Sequence, residues 1–216
     1  MTTRPLLLGH RGARGEKSIP ENSLASFDLC LAQACEGFEF DVRLSRDGHA
    51  VLCHDATWRR MRIANSAADR LQLPSLRNVL ERYQHTAFLD IELKVAGLER
   101  IVADLLQALP PQKGYVVSSF LPDCLQALHE VNRSTPLGLI CETRNQLKLR
   151  NELPVDYVIP HHHLLREALI SELQQAGKKV LVWTVNSPAE IRRFASLGVE
   201  GIISDFPQVL VESMRS

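Results

Sequence analysis

The chain has 216 residues, of which 45% are hydrophobic and 23% are charged, and its 25 basic and 25 acidic residues give a formal net charge of zero. A chain of this size and composition can bury a complete core, and we expect a single domain over residues 1–216. Because the basic residues are scattered and balanced by acidic ones, nucleic acid is excluded as an expected partner.

Cysteine usage and the lack of long apolar runs predict where the protein resides. The five cysteines are odd in number and include no C-x-x-C pair, which predicts buried free thiols and neither disulfides nor a zinc site. The apolar run in residues 1–9 is too short for a signal peptide, and no run approaches the roughly 20 residues that cross a bilayer. We expect a cytoplasmic protein without stable membrane insertion, whose oligomeric state the sequence leaves open.

Eight short runs rich in β-branched or aromatic residues alternate with segments of helical periodicity. In chain order the runs are PLLLG (5–9), FEFDVRL (38–44), FLDIELK (88–94), GYVVSS (114–119), PLGLIC (136–141), DYVIP (156–160), KVLVWTV (179–185) and EGIIS (200–204). The segments with helical spacing are 24–34, 73–83, 98–109, 121–131, 164–177 and 187–198. A repeated strand and helix of this kind is typical of an α/β protein, and the predicted fold is a (β/α)8 TIM barrel.

Two of the predicted strands carry charges that a closed barrel does not normally contain. Strands covered by helices outside and filled by side chains inside are expected to be almost continuously apolar. Alternation instead produces two charged faces, which are Glu39, Asp41 and Arg43 in the first strand and Asp90, Glu92 and Lys94 in the second. Since the apolar faces suit the outer helices, the charged faces are predicted to point into the barrel near its open end.

Carboxylates clustered inside a barrel need compensation, because an unpaired buried charge is strongly destabilising. A divalent cation held by Glu39, Asp41 and Glu92 would satisfy all three groups. Oxygen ligands without histidine or thiolate favour a hard ion, Mg²⁺ or Ca²⁺, and the pattern does not choose between them. The alternative is a structural salt-bridge network, whose cations would be Arg11, Arg43 and Lys94.

Two histidines stand at the ends of predicted strands on either side of the first acidic strand. His10-Arg11 follow the run PLLLG, and His54-Asp55 follow the short run AVLC. Histidine titrates near neutrality and arginine binds phosphate through two parallel hydrogen bonds, so this set favours phosphoryl chemistry. One histidine would take a proton from the attacking hydroxyl and the other would give one to the leaving oxygen, in either order.

Six segments in fixed order together form a composite signature. They are HRGARGEKSIPENSLASF, GFEFDVRLSRDGHAVLCHD, LPSL, DIELK, VWTVN and GIISDFP, between residues 10 and 207. This signature resembles that of the glycerophosphodiester phosphodiesterase family. The resemblance implies a (β/α)8 barrel that uses a divalent cation to hydrolyse small glycerophosphodiesters to an alcohol and glycerol 3-phosphate.

Transferred position by position, the resemblance also implies individual roles. The acid-base pair would be His10 and His54. The metal ligands would be Glu39, Asp41 and Glu92, which agrees with the strand alternation. The groups that contact or orient the phosphate and substrate would be Arg11, Lys94, Glu21 and Trp183.

Residues 55–73 are a long connection with weak periodicity, yet are shorter than the insertion of typical family members. We expect this shortened insertion to leave the pocket less enclosed and to discriminate weakly among alcohol moieties. One alternative function is a phospholipase-like activity on lysophospholipids, for which Trp58 and Met61 would supply an exposed apolar patch. Another is a barrel that binds phosphate esters without turnover.

Two further features are expected to have mainly structural roles. Asp205 precedes the last predicted helix and is expected to cap it. The tract His161-His162-His163 is expected to be an exposed loop, although one of its rings could reach the far end of the substrate.

Overall fold

Eight parallel strands close into a barrel in the computed structural model, which describes residues 4–215. The barrel strands are β1 (Leu6–Gly9), β2 (Gly37–Leu44), β6 (Phe88–Leu93), β7 (Tyr115–Ser119), β8 (Leu137–Cys141), β9 (Tyr157–Pro160), β10 (Lys179–Val182) and β11 (Gly201–Ser204). They follow one another around the barrel in this order, and β1 pairs with both β2 and β11 to close it. Each predicted run forms one barrel strand, so the predicted TIM barrel is confirmed.

Three shorter strands lie outside the barrel. Antiparallel β3 (Ala50–Leu52) adjoins β2, and β4 (Thr57–Trp58) with β5 (Met61–Arg62) forms a separate two-stranded ribbon. All three strands belong to the connection between the second and third barrel strands, and β4 and β5 fall within residues 55–73, where the sequence predicts a long excursion.

Helices cover the outside of the barrel. They are α1 (Leu24–Ala32), α3 (Leu76–Tyr83), α4 (Glu99–Ala108), α5 (Pro122–Val131), α6 (Arg144–Lys148), α7 (Glu167–Gln175), α8 (Pro188–Ser196) and α9 (Pro207–Ser213), and the short helix α2 (Ala68–Leu71) belongs to the connection that carries β4 and β5. Periodicity predicts the longer ones, but α6 is too short to show a helical period, although Thr143 and Gln146 form a capping box at its start. Across residues 4–215, no helix combines the length and apolar character that a membrane span requires.

The apolar face of β2 packs outward against α1 and α3. Phe38 and Phe40 are fully buried there, and the ring of Phe27 stacks on Phe38 with centroids 4.2 Å apart. The ring of Tyr83 meets Phe38 edge-on at 5.1 Å. The apolar row predicted to suit the outer helices therefore does contact them, and it leaves the charged row of β2 to face inward.

The register between β2 and β6 sets carboxylates beside one another. Glu39 pairs with Asp90 and Asp41 pairs with Glu92 in this parallel ladder. The rest of the barrel interior is filled by an apolar cluster of Leu8, Phe88, Val116, Ile140, Tyr157, Ile159, Leu181 and Ile203. The charged residues are thus confined to one side of an otherwise apolar interior.

Residues 55–73 pack around a small apolar cluster of their own. The turn between β4 and β5 consists of Arg59 and Arg60, which both have positive φ. The cluster contains Val51, Cys53, Ile63 and Leu71, with Trp58 and Met61 half-buried against it. The weak periodicity of this segment has a physical reason, because its buried residues come singly from several short elements and not from one face of a helix.

Phe27→Ala is expected to lower the free energy of unfolding by about 3–5 kcal/mol, because it removes a fully buried ring from the contact between α1 and β2. Urea unfolding followed by circular dichroism measures the change in midpoint. Phe27→Leu keeps most of the apolar volume and is the matched control, with a smaller expected loss. An unchanged midpoint for Phe27→Ala would contradict this account of the packing.

Candidate active site

The carboxyl ends of the barrel strands surround one pocket. Its lining includes seven of the residues selected from the sequence, which are His10, Arg11, Glu39, His54, Glu92, Lys94 and Trp183. Asp41 is fully buried beside Glu92, and Glu21 contacts Arg11 from the loop that follows β1. Parallel strands all end at the same face of a barrel, so residues distant in the sequence become neighbours there.

The three carboxylates form a compact cluster. Glu39, Asp41 and Glu92 can each offer an oxygen atom within 4.8 Å of the others. Lys94 Nζ lies 2.6 Å from Glu92 Oε1 and 3.2 Å from Asp41 Oδ1, and Arg11 Nε lies 3.2 Å from Asp41 Oδ2. Arg11 and Lys94 therefore provide part of the charge compensation that the salt-bridge alternative required.

Arg43 does not take part in this cluster, contrary to the salt-bridge alternative. Its guanidinium donates two hydrogen bonds to the backbone carbonyl of His54, at 2.9 and 2.6 Å. Arg43 therefore fixes the loop that carries His54 and leaves the carboxylates to the other two cations.

Burial and mutual repulsion raise two of the three carboxyl pKa values. Burial and the neighbouring Asp41 raise the pKa of Glu92 to about 7, and the same two causes raise the pKa of Glu39 well above its usual range. Burial also acts on Asp41, but Lys94 and Arg11 outweigh it and hold the pKa of Asp41 below its usual value. The two cations thus secure one ionised carboxylate but do not neutralise the whole cluster.

The donor set fits a hard divalent cation. Glu39 Oε1 is buried, and among residues 4–215 it has no hydrogen-bond partner. A buried carboxylate oxygen without a partner is strongly disfavoured unless another positive group binds it. Three carboxylates converging on one point are the ligands that Mg²⁺ and Ca²⁺ prefer, so the residues present are suited to either ion.

His10 is held by the carboxylate of Asp205. Its Nδ1 lies 2.7 Å from Asp205 Oδ1, and Nε2 lies 3.8 Å from Glu39 Oε2. Because a carboxylate only accepts hydrogen bonds, Nδ1 donates and a neutral ring keeps its lone pair on Nε2. Burial opposes ionisation of Asp205, but the His10 hydrogen bond and charge outweigh it and lower the pKa of Asp205 well below its usual range.

The sequence-based interpretation of Asp205 as a helix cap is wrong. Helix α9 begins after Phe206 without a side-chain cap. Asp205 Oδ1 also accepts a hydrogen bond from Arg14 at 3.1 Å, and Oδ2 accepts one from Asn186 at 2.8 Å. An aspartate before a helix looks the same in the sequence whichever role it has, and only the pairing of β11 with β1 brings it next to His10.

His54 is oriented in the same way but in a more open position. Its Nδ1 lies 2.8 Å from Asp55 Oδ1, so a neutral ring keeps its lone pair on Nε2. The His54 side chain is 37% exposed, compared with 11% for His10. The pocket therefore contains two histidines with the same tautomer, one of them buried and the other near solvent.

Two residues at the cluster had no functional role assigned from the sequence. Asn22 Nδ2 donates to Asp41 Oδ2 at 2.8 Å, and Asn22 Oδ1 accepts from the amide of Asp41 at 3.1 Å. Asp90 lines the pocket beside Glu39 and accepts a hydrogen bond from Ser118 Oγ at 2.6 Å, and burial raises its pKa to about 7.

Trp183 and the histidine tract lie across the barrel from these carboxylates. The indole N–H of Trp183 donates to the carbonyl of Ile159 at 3.0 Å, and one face of the pocket is formed by the ring. His161 stands 5.0 Å from the Trp183 ring, centroid to centroid, and is half-buried, whereas His163 is exposed. The tract is therefore a partly covered turn behind the pocket wall.

The barrel and its site together define a class of protein. Two carboxylate-oriented histidines, two cations and a metal-suited carboxylate cluster at the carboxyl end of a (β/α)8 barrel are the features of a phosphodiester hydrolase. The sequence profile described as "Glycerophosphoryl diester phosphodiesterase family" matches residues 10–108 and 94–209. The chain belongs to this family.

Known proteins resemble the chain over nearly its whole length. The Bacillus subtilis protein YhdW is 28% identical over 237 residues, which cover 95% of this chain and 96% of the relative. A glycerophosphodiester phosphodiesterase of Caldanaerobacter subterraneus is 24% identical over 98% of both chains. A phosphodiesterase of Oleispira antarctica, solved in complex with the product sn-glycerol-3-phosphate, superposes with a TM-score of 0.87 at 25% identity, covering 99% of this chain and 98% of its own.

Asp205→Asn is expected to lower kcat by about 10- to 100-fold, because an amide can no longer hold His10 in the required tautomer. Steady-state hydrolysis of a glycerophosphodiester measures the loss. Asp55→Asn is the matched control, since Asp55 is 76% exposed and Asp205 only 14%, so water can replace the Asp55 contact. Equal losses of kcat in the two variants would contradict the argument that the buried Asp205 is needed to orient its histidine while the exposed Asp55 can be replaced by water.

Proposed function

We propose that the chain hydrolyses glycerophosphodiesters to an alcohol and glycerol 3-phosphate with the aid of a divalent cation and a His10/His54 acid-base pair. The observation that carries this proposal is the convergence of both oriented histidines on one pocket with the carboxylate cluster. The Oleispira antarctica neighbour supports it, because its structure holds sn-glycerol-3-phosphate as product.

The cation, Mg²⁺ or Ca²⁺, would be held by Glu39, Asp41 and Glu92. When bound, it supplies positive charge that stabilises the charge developing on the phosphate oxygens. The ligands are oriented in advance, since the backbone amide of Arg11 donates to Glu39 Oε2 at 2.9 Å and Asn22 holds Asp41.

The positively charged side chains beside the cluster are proposed to bind the phosphate. Arg11 and Lys94 line the pocket, and both are strongly buried. Glu21 holds the Arg11 guanidinium through a 2.8 Å ion pair, so it orients Arg11 without lining the pocket itself. A guanidinium and an ammonium placed in this way supply charge-assisted hydrogen bonds to a phosphodiester anion.

The two histidines move the protons. With each Nδ1–H directed at an aspartate, a neutral ring accepts the proton of the attacking hydroxyl at Nε2. The partner histidine, in its protonated form, gives a proton from Nε2 to the leaving alcohol oxygen. In the proposed reaction the attacking hydroxyl is the diester's own neighbouring one, so this first step forms a cyclic phosphate, releases the alcohol and leaves the two rings in the reverse states. Water then opens the cyclic phosphate. The ring that is now neutral takes the proton of the water, and the ring that is now protonated returns its proton to the hydroxyl oxygen, which restores both rings.

The alternative functions lack a specific supporting observation. A phospholipase-like activity at a membrane surface required Trp58 and Met61 to be exposed, but both are half-buried. Within residues 4–215, the large apolar side chains that are exposed are Leu121 and Phe206. A barrel that only binds phosphate esters would not need two histidines that are each oriented by a carboxylate.

We also propose that residues 1–216 form one domain and that the protein is cytoplasmic. The first proposal is supported by the barrel, whose strands run from Leu6 to Ser204 and whose last helix ends at Ser213. The second is supported by the five cysteines, all of which lie in the described residues and are buried and free, as in proteins of reducing compartments.

Chelation is expected to abolish activity, and Glu92→Gln to weaken metal affinity by about 10- to 100-fold, because one of three carboxylate ligands is lost. Titration calorimetry with Mg²⁺ and with Ca²⁺ measures the affinity, and circular dichroism checks that the fold is retained. Glu152→Gln, at an exposed turn, removes the same charge and is expected to change neither the metal affinity nor the fold. Full turnover in a metal-free preparation would overturn the metal-dependent mechanism.

His10→Ala and His54→Ala are each expected to lower turnover by about 10² or more, because each removes one proton-transfer partner. The double variant is expected to lose far less than the product of the two single losses, since the pair acts as a unit. Single-turnover rates at saturating substrate provide the comparison. Losses that multiply would contradict a shared acid-base role.

A further inference from the structure

Arg14 lies in the loop after β1 and takes no part in the proposed proton transfer or phosphate binding. Its Nη1 donates to Asp205 Oδ1 at 3.1 Å, and its Nε donates to Glu21 Oε2 at 3.0 Å. Asp205 is the carboxylate that holds His10, and Glu21 is the carboxylate that holds Arg11. One guanidinium therefore joins the support of a histidine to the support of an arginine.

Each of these two carboxylates is shared between Arg14 and the group that it orients. Glu21 accepts from Arg11 on Oε1 and from Arg14 on Oε2. Asp205 Oδ1 accepts from both His10 and Arg14. A carboxylate held from one direction can turn about its side-chain bonds, whereas a second donor from another direction fixes the position of its plane. Arg14 therefore restricts both carboxylates and, through them, the His10 ring and the Arg11 guanidinium.

The backbone on either side of Arg14 is anchored to other elements. The N–H of Ala13 donates to a side chain of α1 at 2.8 Å, and the N–H of Gly15 donates to the carbonyl of Asp205 at 2.7 Å. Gly15 approaches the loop after β11 so closely that a Cβ atom there would overlap the Phe206 ring. The Arg14 side chain thus starts from a fixed point between the two loops, which reduces the entropy cost of holding it in one geometry.

The exposure of the three side chains limits what the bridge contributes to stability. Arg14 is 34% exposed, Glu21 is 39% exposed and Asp205 is 14% exposed. Ion pairs this close to solvent are screened and stabilise a fold only weakly. We therefore expect the bridge to act mainly on the geometry of the site and little on the free energy of unfolding.

We propose that Arg14 is a positioning residue that couples the orientation of His10 to that of Arg11. Arg14 acts on proton transfer through Asp205 and on phosphate binding through Glu21. This inference rests on the proposed function, because the two effects are defined by the roles of His10 and Arg11 in phosphodiester hydrolysis.

Arg14→Gln is expected to change both kinetic constants for glycerophosphocholine. It should lower kcat by about 3- to 10-fold because His10 is less well oriented, and raise KM by a similar factor because Arg11 is less well held. Glu21→Gln is expected mainly to raise KM, and Asp205→Asn mainly to lower kcat. Steady-state rates with Mg²⁺ and in parallel with Ca²⁺ measure both constants, and circular dichroism checks that each variant is folded.

Two further variants separate the bridge from the loss of charge. Arg82 donates two hydrogen bonds to Asp28 on the outside of the barrel, at 3.1 and 2.7 Å, so Arg82→Gln is the matched control and is expected to keep both kinetic constants. Arg14→Lys keeps the charge, but an ammonium lacks the diverging N–H groups of a guanidinium. It is expected to leave at least one of the two constants at the value of Arg14→Gln.

A spectroscopic measurement tests the positioning of His10 without metal or turnover. In protein with nitrogen-labelled side chains, exchange of the His10 Nδ1–H proton with water reports how often its contact with Asp205 opens. Arg14→Gln is expected to speed this exchange by about threefold or more. The indole N–H of Trp183, which donates to the carbonyl of Ile159, is the internal reference and is expected to exchange at its wild-type rate.

The possible outcomes separate this inference from the proposed function. A change in only one kinetic constant of Arg14→Gln, or in neither, overturns the coupling while hydrolysis itself persists. Full recovery of both constants in Arg14→Lys, equal losses in Arg82→Gln, or unchanged exchange of the His10 proton also overturns it. Failure of the wild-type protein to hydrolyse the diester with either metal overturns the proposed function, and this inference with it.

Discussion

The placement of three carboxylates inside a closed barrel is the constraint from which the rest of the site follows. Ionised groups at this depth are costly unless positive charge and hydrogen-bond donors surround them. Lys94 supplies one ammonium, Arg11 supplies a guanidinium and a backbone amide, and Asn22 supplies a side-chain amide. Each donor comes from a strand end or from the loop after β1, so the carboxylates dictate the conformation of that loop.

The backbone of the loop after β1 is in an unfavourable conformation at two residues. Arg11 and Asn22 both have positive φ, at 50° and 55°, a backbone region that residues other than glycine seldom occupy. In return, the Arg11 amide points at Glu39 and the Asn22 side chain bridges both the amide and the carboxylate of Asp41. A loop held in this way is rigid at the position where a substrate phosphate is proposed to bind, which favours precise alignment over adaptability.

Much of this architecture could be predicted from the sequence. All eight barrel strands follow from short runs rich in β-branched or aromatic residues, and the inward direction of Glu39, Asp41 and Glu92 follows from alternation. Both patterns are local properties of the sequence. Short helix α6 and the small cluster around Ile63 escaped prediction, since neither shows a repeating pattern. Asp205 and Asn22 escaped because their partners lie 195 and 19 residues away, and a polar residue next to a helix has a plausible local use.

The pairing of β1 with β11, which closes the barrel, determines when His10 can be oriented as the chain is made. His10 leaves the first strand and Asp205 follows the last, and the two meet only because β1 and β11 lie side by side. During synthesis, every carboxylate of the cluster emerges from the ribosome while the support for His10 is still missing. A chain released before β11 would carry Glu39, Asp41 and Glu92, the proposed metal ligands, without an oriented His10. In the proposed mechanism, therefore, the site becomes complete only when β11 pairs with β1 and closes the barrel.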